Sequence, residues 1–164
     1  MLLACRHPGR VSRLIAVDVA PKDYDWPAHR LEFEAMNELD LGNLKSRAEA
    51  ETRFGARVLG WSMRKFLATN LERTPEGGFR WQINLPAITA ALPELERDPL
   101  APGDRFGGPA LFISGGKSAY VQPEDRPAIL AHFPSARIEV IAGSGHNPHI
   151  EAREAFVRAV ASGA

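Results

Sequence analysis

The chain opens with a short apolar stretch, "MLLACRHPGR", that runs into basic residues and then Pro8-Gly9, the pattern of a helix's last turns followed by a stop. "VSRLIAVDVAP" comes next. It is a nearly continuous apolar and β-branched run closed by Pro21, as expected of a strand in a parallel sheet covered on both faces. From residue 22 the pattern changes, with more charge, more tryptophan and apolar positions at helical spacing. Leu31, Ala35, Met36 and Leu39 form one stripe of a first helix. Ser46 and Glu49 stand at capping-box spacing at the head of "SRAEAETRF". "GARVLGWSMRKFLATNL" predicts a third amphipathic helix, with Val58, Leu59, Ser62, Met63 and Phe66 at the spacing of a helix interior. "EGGFRWQINL" predicts a turn and a short strand, and "LPAITAALPELE" a fourth helix. After a Pro- and Gly-rich loop, "DPLAPGDRFGG", the rhythm alternates again. "PALFISGG" predicts a buried strand, "QPEDRPAILAHFP" a helix and "ARIEVIAG" a strand. "NPHIEAREAFVRAVASG" predicts a closing helix with Ile150, Phe156, Ala159 and Val160 inward.

Strands alternating with helices imply parallel pairing, so the fold class is α/β, with three mostly parallel strands. Three segments follow: 1–21 (the end of a core helix and a core strand), 22–97 (a helical cap insertion) and 98–164 (the C-terminal core strands and helices). The 164 residues suit about one domain. Twenty basic residues balance twenty acidic ones, which gives no electrostatic case for nucleic acid or an anionic membrane. The single cysteine, Cys5, excludes a disulfide framework and a cysteine-based zinc cluster. No apolar run approaches the ~20 residues of a membrane span, and the start does not have the form of a signal peptide. The expected location is therefore cytoplasmic.

The chemistry centres on "VIAGSGHNPHIE", residues 140–151: a strand end, a small-residue turn, His146 and a helix. A histidine presented this way is suited to general-base work, which requires a nucleophile. "GWSMR" around Ser62 nearly matches the nucleophile elbow, but Arg64 replaces the small residue that the turn needs, and Ser62 fits a helix interior. Ser118 follows a strand without the required helix, and Cys5 sits in a helix tail. His149 and Glu151 continue an H-x-x-H-x-E pattern from His146. As a metal site it lacks a third strong ligand and is interrupted by Pro148, so His149 is expected to pack under the turn. No metal and no cofactor is expected. His7, His29 and His132 receive no role.

In combination, "RLIAVDVAPKDY", "ALFISGGKSAYV" and "FPSARIEVIAGSGHNPHIE" resemble the C-terminal part of an α/β-hydrolase, specifically the YbfF-like small bacterial esterases and their mitochondrial abhydrolase relatives. The resemblance covers the chain from about residue 7 onward. It implies hydrolysis of a small-molecule carboxylic ester or thioester through a serine acyl-enzyme, with His146 as the catalytic histidine. The family carries an aromatic residue after that histidine, where this chain has Asn147. Many α/β-hydrolases place the acid after the strand that is here "ALFISGG". This group has a serine there, matched by Ser118, and uses the aspartate that ends the preceding strand, matched by Asp18. Asp125 and Asp23 are the competing acids. Lys117, Ser118 and Tyr120 stand at a strand exit where they could meet substrate, and Trp26, Trp61, Phe66 and Trp81 could floor an acyl pocket. The family's nucleophile lies in a G-H-S-M-G-G segment just before the helix whose tail matches residues 1–7. The expectation is therefore a fragment lacking the nucleophile, inactive alone and prone to self-association through the exposed edge of its first strand. The alternative is a non-catalytic truncated hydrolase module that binds a partner chain.

Overall fold

The computed structural model describes residues 1–162. In chain order the elements are α1 (Leu2–Arg6), β1 (Leu14–Val17), α2 (Pro27–Asn37), α3 (Arg47–Phe54), α4 (Trp61–Ala68), β2 (Leu71–Arg73), β3 (Phe79–Trp81) and α5 (Leu85–Leu95). They continue with β4 (Ala110–Gly115), α6 (Arg126–His132), β5 (Ala136–Ile141), α7 (Pro148–Glu151) and α8 (Arg153–Ser162). Two compact units result. A sheet unit comprises Met1–Asp23 and Arg97–Ala164, and a helical unit comprises Tyr24–Glu96.

The sheet unit is built on three parallel strands in the order β1-β4-β5. All six residues of β4 are buried, which is why "ALFISG" has no polar alternation until its serine. Successive side chains of β4 serve opposite faces. Phe112 joins Ala4, Ile129 and Phe133 on the face that α1 and α6 cover, its ring centroid 5.1 Å from that of Phe133. Leu111 and Ile113 join Ala159, Phe156 and Val160 on the face that α8 covers. The closing helix is not continuous. Ala152 leaves helical geometry (φ −141°, ψ 51°) between α7 and α8, and this turns Ile150 to solvent, 72% exposed, rather than inward. His149 is likewise exposed, with its ring edge-on to Phe156, and does not pack beneath the turn.

The helical unit has its own core, in which Met36, Ala50, Phe54, Leu67, Leu71 and Leu85 are buried together. Ser46 caps α3 by accepting from the Glu49 amide (3.1 Å), while the Glu49 carboxylate accepts from the Lys45 amide and from Arg53. Three details depart from the periodic reading. Helix α4 begins only at Trp61, with Gly60 as its cap, so Val58 and Leu59 precede it and Leu59 is 91% exposed. Leu31 and Phe66 lie on exposed faces. Leu71–Arg73 leaves the helix to pair antiparallel with Phe79–Trp81. Gly77, at φ +89°, makes the connecting turn in a conformation that suits glycine. Among the described residues, no helix is long and apolar enough to cross a membrane.

Candidate active site

Asp18 is the residue immediately after β1, and its φ of +51° is the left-handed conformation that short polar side chains tolerate best. Its amide donates to the Ile113 carbonyl (2.7 Å), so the turn is tied to β4 as the chain leaves the sheet. The strained backbone aims the carboxylate inward, where it is fully buried. A buried carboxylate needs partners for both oxygens. The Gly115 amide donates to Oδ1 at 3.0 Å. Oδ2 accepts from the Ser118 hydroxyl and from His146 Nδ1, the latter at 2.7 Å.

The His146 side chain is 48% exposed, so one edge of the ring is anchored and the other is open. With a carboxylate as the acceptor, Nδ1 carries the proton and Nε2 presents its lone pair. Among the described residues, no hydroxyl or thiol is hydrogen-bonded to this ring. Tyr120 stacks flat on the imidazole, with the centroids 3.9 Å apart and the planes at 21°. The strand exit that carries Ser118 and Tyr120 thus orders the pair from two sides: Ser118 through Asp18, and Tyr120 through the ring face.

The loop bearing His146 is fastened to the exit of β4. Gly116 N donates to Ile141 O (2.9 Å), and Lys117 N donates to Ser144 O (2.8 Å). This approach is close enough to exclude side chains, since a Cβ on Gly115 would lie 1.9 Å from the Gly145 carbonyl oxygen. From the other side, Glu151 reaches back from α7. Its Oε2 accepts from Gly145 N (2.8 Å) and its Oε1 from Asn147 N (3.0 Å), the two amides that flank His146. The Gly145 amide first, and then the Asn147 amide, hold the Glu151 carboxyl below the usual carboxylate range, with Lys117 and His146 adding to the effect. This clamp was not legible in the sequence. Only the acid five residues after the histidine, at the end of a short helix, hinted at it.

The remaining candidates have surroundings of their own. Asp125 accepts from Lys22 (2.6 Å) and from the Gln122 amide (2.8 Å), and Asp23 accepts from the Asp98 amide (2.7 Å). Ser62 is exposed in the first turn of α4. Trp81 belongs to the helical unit and packs against that unit's core. Among the described residues, no group of three or more His, Cys, Asp or Glu side chains is placed to hold a metal ion.

A three-stranded parallel sheet with a buried acid after one strand and a histidine on a glycine turn after another places this chain in a recognisable class. It belongs to the alpha/beta hydrolase family, whose profile matches residues 2–159. Among curated proteins it is 33% identical over 160 residues to the esterase YbfF of Escherichia coli, an alignment covering 98% of this chain and 60% of the relative. It is 32% identical over 167 residues to the mouse sn-1-specific diacylglycerol lipase ABHD11, covering 99% of this chain and 54% of the relative. Among solved structures, a marine microorganism esterase superposes with a TM-score of 0.92 at 30% identity, covering 98% of this chain and 64% of that one. The chain thus spans a little over half the length of the curated relatives it matches.

Proposed function

We propose that the Asp18–His146 pair serves hydrolysis of a carboxylic ester or thioester through an acyl-enzyme, with the serine nucleophile and the oxyanion donors supplied by residues other than the 164 of this chain. The observation that carries this reading is the 2.7 Å contact from His146 Nδ1 to a fully buried Asp18, with Nε2 open. In that role Nε2 takes the proton of the attacking hydroxyl as the oxygen bonds to the acyl carbon. The imidazolium formed is stabilised by Asp18, and the same proton passes to the departing alcohol or thiol. Water then repeats the sequence and releases the acid. The esterases and lipases among the relatives support the reaction class.

Acyl transfer needs a nucleophile within about 2.6–3.2 Å of the base and donors aimed at the developing oxyanion. The chain alone is expected to show no turnover of p-nitrophenyl butyrate above the buffer rate and no labelling by a fluorophosphonate. Joined to the nucleophile-bearing N-terminal segment of a relative, fused or in trans, it should gain both. His146→Ala should abolish the turnover. Labelling of the isolated chain at Ser62 would overturn the reading, as would a fused chain that turns over equally well without His146.

A further inference from the structure

We propose that the sheet unit carries a second ligand site, for a short-chain monocarboxylate, in a cavity on the α6 face of the sheet. Ile129 and Phe133 cover Phe112 and its neighbours, but α6 has only seven residues and leaves part of this face bare. Beside Ser114, Val140 of β5 is 61% exposed. The uncovered space is a cavity of about 260 Å³, walled by Val121, Ile129, Ile138 and Val140, with Arg126 among its lining residues.

The polar groups around it decide what the cavity takes. The Arg126 guanidinium makes no hydrogen bond or ion pair with any described residue. The neighbouring acid, Asp125, is occupied by Lys22 and the Gln122 amide. Ser118 also lines the cavity, but its proton is committed to Asp18. The other polar side chains of the lining are neutral, the Ser114 hydroxyl and the Gln122 amide, which donates to the Ser118 carbonyl, so the cavity offers one permanent cation among mostly apolar walls. A phosphate would bring more than one negative charge against a single cation and apolar walls, an amine would be repelled, and a neutral hydrocarbon would leave the guanidinium unused. A single carboxylate on an apolar tail satisfies both parts. At about 30 Å³ per water-sized group, a cavity of about 260 Å³ holds on the order of eight such groups, the number of heavy atoms in hexanoate. A carboxylic acid is also what the proposed hydrolysis would release. Binding here needs no turnover, so its failure and that of the reaction are read separately.

The test is a titration of methyl-labelled chain with sodium hexanoate at constant ionic strength, followed through methyl signals that stay readable in a dimer. Saturable shifts are expected at Ile129, Ile138 and Val140. Hexan-1-ol, with the same tail and no charge, should bind about tenfold more weakly, as should hexanoate with Arg126→Gln. Val140→Trp, which fills the cavity from an exposed strand position, should abolish the response, and inorganic phosphate should not compete. The proposal falls if the shifts do not saturate, or if they centre on Leu59 and Phe66. It falls equally if hexanol matches hexanoate on the unsubstituted chain, a comparison that needs no variant to fold.

Discussion

Asp18 gathers four constraints into one side chain: a left-handed backbone, an amide, a hydroxyl and the imidazole. In a chain joined to the nucleophile-bearing segment of a relative, Asp18→Asn should lower kcat by about 10⁴-fold, because an amide cannot hold the same tautomer of His146. Asp125→Asn should change kcat little, since Asp125 serves a turn and Lys22. The reverse ranking in a kinetic comparison would reassign the acid. Glu151 makes a second prediction at this scale. Its folded pKa lies below the unfolded value, which is about 4.3 for a free glutamate. The clamp on the histidine loop is therefore fully present above that unfolded value and is lost as pH falls through the lower, folded one. The Gly145 and Asn147 amide signals should move together in an acid titration. Glu151→Ala should expose both amides to exchange at neutral pH, whereas Glu151→Gln, which keeps one oxygen acceptor, should expose one. Protected amides in the alanine variant would deny Glu151 this role.

At the scale of elements, the exit of β4 is where the sheet and the histidine loop meet. A methyl at Gly115 collides with a backbone carbonyl that has no side-chain freedom to yield. Gly115→Ala should cost about 1–3 kcal/mol or more, read as a lower urea midpoint with unchanged slope. Gly107→Ala, where a Cβ meets nothing within 4 Å, should leave the midpoint in place. An equal midpoint for both variants would mean that the loop is not held against the strand. The strands and the histidine turn were legible because apolar runs and a Gly-His turn are local signals, whereas Asp18 was singled out from Asp125 and Asp23 only by the resemblance to the YbfF-like group. The start of α4 was not, because Val58 and Leu59 satisfy a helical period by chance while Gly60 supplies the cap. Strand β2 was hidden because its first residue, Leu71, ends the predicted helix and three residues are too few to show an alternation. Ser118 and Glu151 could be noticed as residue types, but what each binds depends on a strand and a loop distant in sequence.

At the scale of the whole molecule, β1 pairs with β4 on one side only among the described residues. Its free edge presents unpaired amides and carbonyls on a short apolar strand without the charge that blunts natural edges. We propose that the chain self-associates through this edge. Sedimentation should show dimers or larger species whose proportion rises with concentration, and a strictly monomeric chain at all concentrations would exclude the contact.

Where the helical unit leaves and rejoins the chain, the Tyr24 amide donates to the Glu96 carbonyl (2.6 Å), and just outside that pair the Asp98 amide donates to the Asp23 carboxylate (2.7 Å). The 73 residues from Tyr24 to Glu96 thus begin and end at one narrow doorway, with a core of their own. A segment attached in this way places little topological demand on its host. It is an exchangeable cassette. It could be lengthened, trimmed or traded for another small fold while Asp18 and His146 keep their places, since neither residue belongs to it.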